Sequence, residues 1–415
     1  MKKRIFAALL VLLLLLCACG AEEPWQAAYR RTGQALAAQE DYGVGSIGGE
    51  WAVIGLSRSG LLKQETAQAY LQTVEDYVRS IGTARLDHAK STENSRIILG
   101  VTAAGGDVTD IGGVNLLEGL TDMAFVSYQG LNGPIWALIA LDCGGYEIPD
   151  AQPGEEQATR EALICLLLRE RKADGGWCFS GDASDADMTA MALTALAPYY
   201  DESDTVRKAV DDALALLSAM QGSDGGFGTS SEACAQVIVA LTALGIDPMT
   251  DGRFIKNGLT ALDALASFYV DGGGFRHTAS GELDGMATEQ AYYALAAYAR
   301  LASGNAHGLY DMDDAKKLDD AALEDVLREI EALGEITDAS RETYVKLETI
   351  RQKLRYLKDE DKKTAQDALE EKQSAFDEIL AEKKQTARTV SLSKVYDAVI
   401  NAAKKEDPSL LTDAA

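Results

Sequence analysis

Five carboxylates and one amide stand where small-residue apolar segments begin: Glu50, Glu93, Asn132, Asp187, Glu232 and Glu289. The segments they introduce recur at intervals of roughly 40–56 residues. If these segments are parallel helices, their N-termini meet at one rim and the six polar groups surround one opening. An acidic rim over an apolar pocket suits a cationic or polyhydroxyl ligand. Paired rim carboxylates are also the equipment of a glycan-acting enzyme. The competing expectation is a solvated acidic surface with no specific site. Asp185 and Asp187, in the run Asp185-Ala186-Asp187-Met188-Thr189-Ala190, are the most concentrated pair. Ser184-x-x-Asp187 has capping-box spacing, and acids suit a helix N-terminus. Helix-start duty is therefore the favoured expectation for Asp187. Glu232 follows Thr229 at the same spacing.

The elements that must position these groups follow from the pattern of the whole chain. It has 415 residues, 47% of them hydrophobic and 25% charged. That is enough for one large domain and a smaller one, and it excludes a disordered chain or a small disulfide scaffold. The small-residue segments are Gly49 to Leu56, Thr92 to Ala103, Gly133 to Leu141, Asp187 to Ala197, Glu232 to Leu244 and Met286 to Leu301. They are apolar nearly all round, as buried helices are. Between them lie one-sided amphipathic segments: Trp25–Gln39, Glu65–Ser80, Gly112–Val126, Gln157–Glu170, Asp204–Gln221 and Arg253–Val270. Val206, Val210, Ala213, Leu214 and Leu217 show the i, i+3/i+4 stripe. Six buried helices alternating with six one-sided ones predict an all-α fold, an α6/α6 toroid with an inner ring inside an outer ring. Helix axes ~8–10 Å apart leave only about a 4 Å radius at the centre of a hexagon. Inward side chains therefore decide between cavity and plug; the small Gly55, Ala190, Ala195 and Ala240 favour a pocket.

The loops leading into the later buried helices repeat: Asp174-Gly175-Gly176-Trp177-Cys178-Phe179, Asp224-Gly225-Gly226-Phe227-Gly228 and Asp271-Gly272-Gly273-Gly274-Phe275. Glycine permits the tight turn, and the aromatic can plug the gap between repeats or face a ligand. Trp177, Phe227 and Phe275 are accordingly ligand-binding candidates. This recurrence resembles the repeats of the terpenoid cyclase and protein prenyltransferase superfamily. The resemblance covers Gln157 to Leu301 well and extends to Trp25 to Gly304. It implies the toroid. Cobalamin carriers and complement-like thioester domains share that toroid without being enzymes, so the fold leaves function open. Asp185 to Ala190 is similar to the Asp-x-Asp-Asp-Thr-Ala motif of class II terpenoid cyclases. The resemblance implies Asp187 as the proton donor and Asp185 as its partner, and Met188 departs from it.

Other chemistries fail on spacing. Gly176 stands where a prenyltransferase zinc site needs Asp before Cys178. Cys143-Gly144-Gly145-Tyr146 lacks the Gln of a thioester. No phosphate-cradling loop occurs, and three histidines leave little choice for activating a nucleophile. The sequence calls for no cofactor and no metal. Cys143, Cys165, Cys178 and Cys234 mostly lie in apolar runs and read as free buried thiols.

Both ends differ in texture from the middle. Lys2, Lys3 and Arg4 precede the apolar run Ile5 to Leu16, which is too short to span a bilayer. Leu16-Cys17-Ala18-Cys19-Gly20 resembles the lipobox of bacterial lipoproteins. It implies removal of residues 1–18, a lipid on Cys19 and a place on the outer face of the cytoplasmic membrane, in the cell envelope. The chain carries 39 Lys+Arg against 65 Asp+Glu, net −26; losing three N-terminal cations leaves 36 against 65, net −29. Such a field repels nucleic acid and gives no basic patch for an anionic leaflet. From Asp313 glycine nearly vanishes, and stripes such as Leu323, Val326, Leu327, Ile330 and Leu333 predict a small helical bundle or hairpin. Further helices are expected from Thr337 or Asp338, around Ala365 to Leu380, and over Val395 to Ala403. This tail resembles helical spacer modules of Gram-positive surface proteins. The predicted organisation is a signal peptide at 1–18, a toroid at 19–312 and a helical module at 313–415. The favoured function is a lipid-anchored binding module for a small molecule, glycan or protein, ahead of an enzyme or a non-binding scaffold.

Overall fold

The computed structural model describes residues 22–39, 41–315, 318–354, 357 and 361–383. The export segment with Cys19, and the helix expected over Val395 to Ala403, lie outside the described residues. The chain divides into two compact units between Lys316 and Lys317.

The first unit is mostly helical. Its buried helices are α2 (Glu50–Arg58), α4 (Ser91–Ala103), α6 (Asn132–Asp142), α8 (Ala186–Leu196), α10 (Ser231–Ala243) and α12 (Gly285–Ala302). They alternate with α1 (Pro24–Ala37), α3 (Gln64–Ile81), α5 (Met123–Val126), α7 (Arg160–Arg169), α9 (Asp204–Met220) and α11 (Ala261–Ser267). The even helices bury almost every face, because Ala, Gly and Thr let neighbouring axes approach: Ala52, Val53 and Ile54 on α2 are fully inaccessible, as are Ala192 and Leu193 on α8. Each packs on the next: α2 on α4, α4 on α6, α6 on α8, α8 on α10 and α10 on α12. Helix α12 packs on α2 in turn. The odd helices bury one stripe. On α9 it comprises Val206, Ala209, Val210, Ala213, Leu214 and Leu217, worth roughly 1.5–3 kcal/mol for each large side chain removed from water.

Two amphipathic segments depart from expectation. Gly112–Val126 is not one helix but a 3-10 turn, Leu116–Leu120, followed by the single-turn α5. The side chains of Asn115 and Asp122 each accept from the backbone N–H two residues on, so the chain restarts twice instead of propagating. Arg253–Val270 is helical as α11 only from Ala261. Asn257 and Gly258 hold positive φ in a turn, and Thr260 starts the helix with a capping box to Asp263. After α11 comes a strand signal the sequence did not announce. The strands β1 (Tyr269–Val270), β2 (Gly274–Arg276) and β3 (Leu283–Asp284) form a small antiparallel sheet in that order. The Asp271–Phe275 glycine run is therefore the turn and second strand of a hairpin.

The two other glycine loops share one turn. Lys172 accepts from Gly175 N and donates to Gly176 O, and Gly222 makes the same pair with Gly225 and Gly226. Asp174 and Asp224 each take the N–H two residues on. Glycine is required at 225, where φ is +83° and a Cβ would stand 2.4 Å from the Thr260 carbonyl oxygen.

The first unit continues beyond the expected boundary at 312. Met312 N donates to Cys143 O, and Asp314 pairs with the buried guanidinium of Arg58. The second unit contains α13 (Leu318–Ala332), α14 (Arg341–Lys353) and a helical stretch over 361–383. Its core comprises Val326, Ile330, Leu347, Ile350, Leu369 and Phe376, with the stripe residues Leu323, Leu327 and Leu333 packed against it. Gly334 ends the first of these helices at φ +61°. The second starts later than Thr337 or Asp338: Ser340 Oγ accepts from Thr343 N, and Asp338 instead holds the Ser340 N–H.

Candidate functional site

The N-termini of the even helices share an end. Gly48 N, just before α2, donates to Glu289 on α12 at 2.6 Å. Ser91 Oγ at the start of α4 donates to Val126 O before α6, and Ser231 N on α10 donates to His277 O ahead of α12. Three of the later helix starts use one device. Asp185, Ser230 and Asp284 accept from the N–H groups of Met188, Ala233 and Ala287. This corrects the capping expectation. Asp185 caps α8, while Ser184 Oγ donates to Asp174 and Asp187 stands in the first turn, outside any capping box with Ser184. In α10 the cap is Ser230, one residue on from Thr229.

The six rim candidates have different fates. Glu50 is fully buried. Its carboxylate accepts from Arg96 Nε at 2.7 Å and Gly45 N at 3.0 Å, and from the Tyr70 hydroxyl at 3.3 Å. Glu93 takes the two terminal nitrogens of the same guanidinium at 3.2 and 2.6 Å. Burial by itself would weaken the hold of Arg96 on its proton, but Glu50 and Glu93 outweigh it and keep the guanidinium above its ordinary value. This ion triad closes the space between α2 and α4, so Glu50 is structural and not a ligand group. A buried charge is tolerated only when paired and hydrogen-bonded in this way.

The other acids retain capacity. Glu289 is 4% exposed; one oxygen takes Gly48 N and the other is buried without a partner. Burial pushes its carboxyl up to about 7. Asp187 is pushed up to about 6 by burial, with the charges of Asp185 and Glu232 adding to the rise. Glu232 holds His277 Nδ1 at 2.9 Å, and that contact raises the imidazole above its ordinary value. Asn132 opens α6, partly exposed. Among the described residues no group of His, Cys, Asp and Glu is arranged to hold a metal ion.

The three loop aromatics are corrected as well. Trp177, Phe227 and Phe275 are inaccessible to solvent. Trp177 Nε1 donates to Leu167 O, and its backbone brackets the Thr189 hydroxyl on α8. Phe275 brackets Thr288 on α12 in the same manner. These rings dock each loop onto its helix and offer nothing to a ligand. The small Gly55 is likewise spoken for, since a Cβ there would meet Tyr292 at 2.7 Å.

The exposed groups at this end were not singled out from the sequence. Ile47, Tyr128, Phe179 and Leu283 are 60%, 73%, 67% and 63% exposed. Ile47, Tyr128 and Phe179 sit on the loops leading into α2, α6 and α8, and Leu283 on β3 ahead of α12. Beneath them Trp51 meets Trp136 at 5.1 Å and Tyr293 at 5.9 Å between ring centroids. Tyr310 touches both Trp136 and Tyr293. Because α2 and α6 flank α4, the Trp51–Trp136 contact crosses the interior, which is filled there by rings. Gln236 on α10 donates to the Tyr293 hydroxyl and to Gln290. The chain matches no protein-family model and no curated protein.

Proposed function

We propose that the chain is a lipid-anchored binding module of the bacterial cell envelope. It is held at the outer face of the cytoplasmic membrane through Cys19 and takes a polyhydroxyl ligand at its helix N-terminal end. In this proposal the first unit is an α6/α6 toroid of the terpenoid cyclase and prenyltransferase type. The succession of contacts from α2 through α12 and back to α2 supports that arrangement, with the one-sided odd helices outside. The second unit serves as a helical spacer.

The observation that carries the binding proposal is the make-up of the shared end. Asp187 and Glu232, both partly exposed, keep acceptor capacity beside the exposed side chains of Ile47, Tyr128, Phe179 and Leu283. Carboxylates accept sugar hydroxyls, and Tyr128 and Phe179 offer ring faces for apolar sugar edges. Native mass spectrometry of protein taken from its own envelope, together with a glycan array, tests this. Wild type is expected to retain a saccharide mass or bind a discrete array set, and Asp187→Asn combined with Phe179→Ala is expected to lose it. A wild-type protein that carries no ligand and binds no glycan would favour the scaffold alternative.

One observation favours a second possibility, an enzyme. A carboxyl at about 6 beside a second carboxylate is suited to general-acid work. Cyclisation of isoprenoids fits less well. Met188, where the cyclase motif has another acid, is buried and apolar.

A further inference from the structure

At the opposite end of the first unit the last turns of four even helices surround a cavity of about 470 Å³, open on one side to solvent. Ile139, Ala195, Val239 and Leu301, one from each of α6, α8, α10 and α12, supply apolar wall. The remaining wall is the segment from Asn305 to Asp313. That segment is pinned from behind: Arg58 donates to Gly308 O at 2.9 Å and Asp311 O at 2.7 Å, and Arg300 Nε to His307 O at 3.0 Å. Leu309 and Met312 anchor it as buried side chains. The wall is thus held in place before any ligand arrives, which lowers the ordering cost of binding.

The charge of the lining is one-sided. Asp142, Asp311 and Asp313 face the cavity, and no Lys or Arg lines it. Asp142 is engaged by Arg160 and the Tyr199 hydroxyl, and Asp311 by His307. Among the described residues none donates to the Asp313 carboxylate, which is exposed at the mouth. Four helix C-termini add partial negative charge to the same space. Tyr310 adds an aromatic surface.

We infer that this cavity binds a small organic cation with an apolar body, an alkyl or aryl amine. The amine meets Asp313 at the mouth and the body fills the apolar walls. The volume falls in the range of small-molecule sites, ~300–1,000 Å³. This site is independent of the glycan proposal, because it lies at the other end of the helices.

Fluorescence titration with dansylcadaverine, against the anionic dansyl-6-aminohexanoic acid, tests the inference. Ala243 and Asp313 are both exposed lining residues, so Ala243→Trp and Asp313→Lys leave the core intact, which a melting curve verifies. The amine is expected to bind saturably and the acid not at all. Ala243→Trp is expected to abolish binding, and Asp313→Lys to weaken it about tenfold or more. Equal binding of both probes, no saturation, or an amine affinity unchanged in both variants would overturn the inference; the last would mean a diffuse response to the acidic surface.

Discussion

Glu289 is the residue through which the shared acidic end can be weighed energetically. Its carboxyl is nearly inaccessible, one oxygen has no partner, and burial pushes it up to about 7 from the ordinary 4.5. Between those two values the folded chain keeps a proton that the unfolded chain has released. Linkage then gives the sign: stability falls as pH rises through about 4.5 to 7, and the loss is complete above about 7. At ~1.36 kcal/mol per pH unit, the gap corresponds to about 3 kcal/mol. Glu289→Gln keeps the shape and the acceptor for Gly48 N but cannot ionise. The variant is expected to gain about 1–3 kcal/mol at pH 8 and to match wild type near pH 4.5. For a unit of this size that is several degrees in Tm, at ~2–4 °C per kcal/mol. Calorimetric melts at pH 4.5, 6 and 8 measure it. A Gln variant that is less stable at pH 8, or that loses stability with pH as steeply as wild type, refutes the reasoning and makes Glu289 a clamp for the 43–48 loop. A gain would mark a group retained at a cost in stability, as functional acids are.

Further outcomes are expected. Asp314→Ala should destabilise the first unit by ~3 kcal/mol or more in chemical denaturation, because it deprives the buried Arg58 guanidinium of its carboxylate partner. Residues 19–316 should accordingly melt cooperatively without the second unit. Asp185→Ala should cost roughly 0.5–2 kcal/mol as a lost cap, whereas Asp187→Asn should raise the melting temperature at pH 8. Neither wild type nor Asp187→Asn should give cyclic products from squalene, oxidosqualene or geranylgeranyl diphosphate. In native protein lacking residues 1–21, a thiol reagent should titrate Cys165 at once and Cys143, Cys178 and Cys234 only on unfolding. Cys165 alone of these is exposed, and burial pushes the Cys143 and Cys234 thiols up to about 12 and about 11. Cys19→Ser should release the protein from membranes on fractionation, and continued sedimentation with them would remove the lipid anchor from the proposal.

The sequence by itself determined what depends on near neighbours. The six buried helices stand where small-residue runs predict them, because helix formation and burial of every face are properties of the local pattern. The stripe on α9 and the helix stop at Gly334 are legible for the same reason. Side-chain capping reset the helices at Asn115, Asp122 and Thr260 in a way hydrophobic periodicity does not register. The acidic end was legible only as a set of positions. Whether each acid is spent or free depended on partners far along the chain. Arg96 lies 46 residues from the Glu50 it neutralises, and His277 lies 45 from Glu232. The aromatics of the glycine loops looked fit for a ligand, and packing made them plugs, since a large ring gains most when removed from water. Exposure of Tyr128 and Phe179, and the enclosure of a cavity by the segment after α12, likewise belong to the tertiary structure. A pattern of residue types sets which face of a helix is apolar, but only the neighbouring helices decide which groups that face covers and which it leaves to solvent.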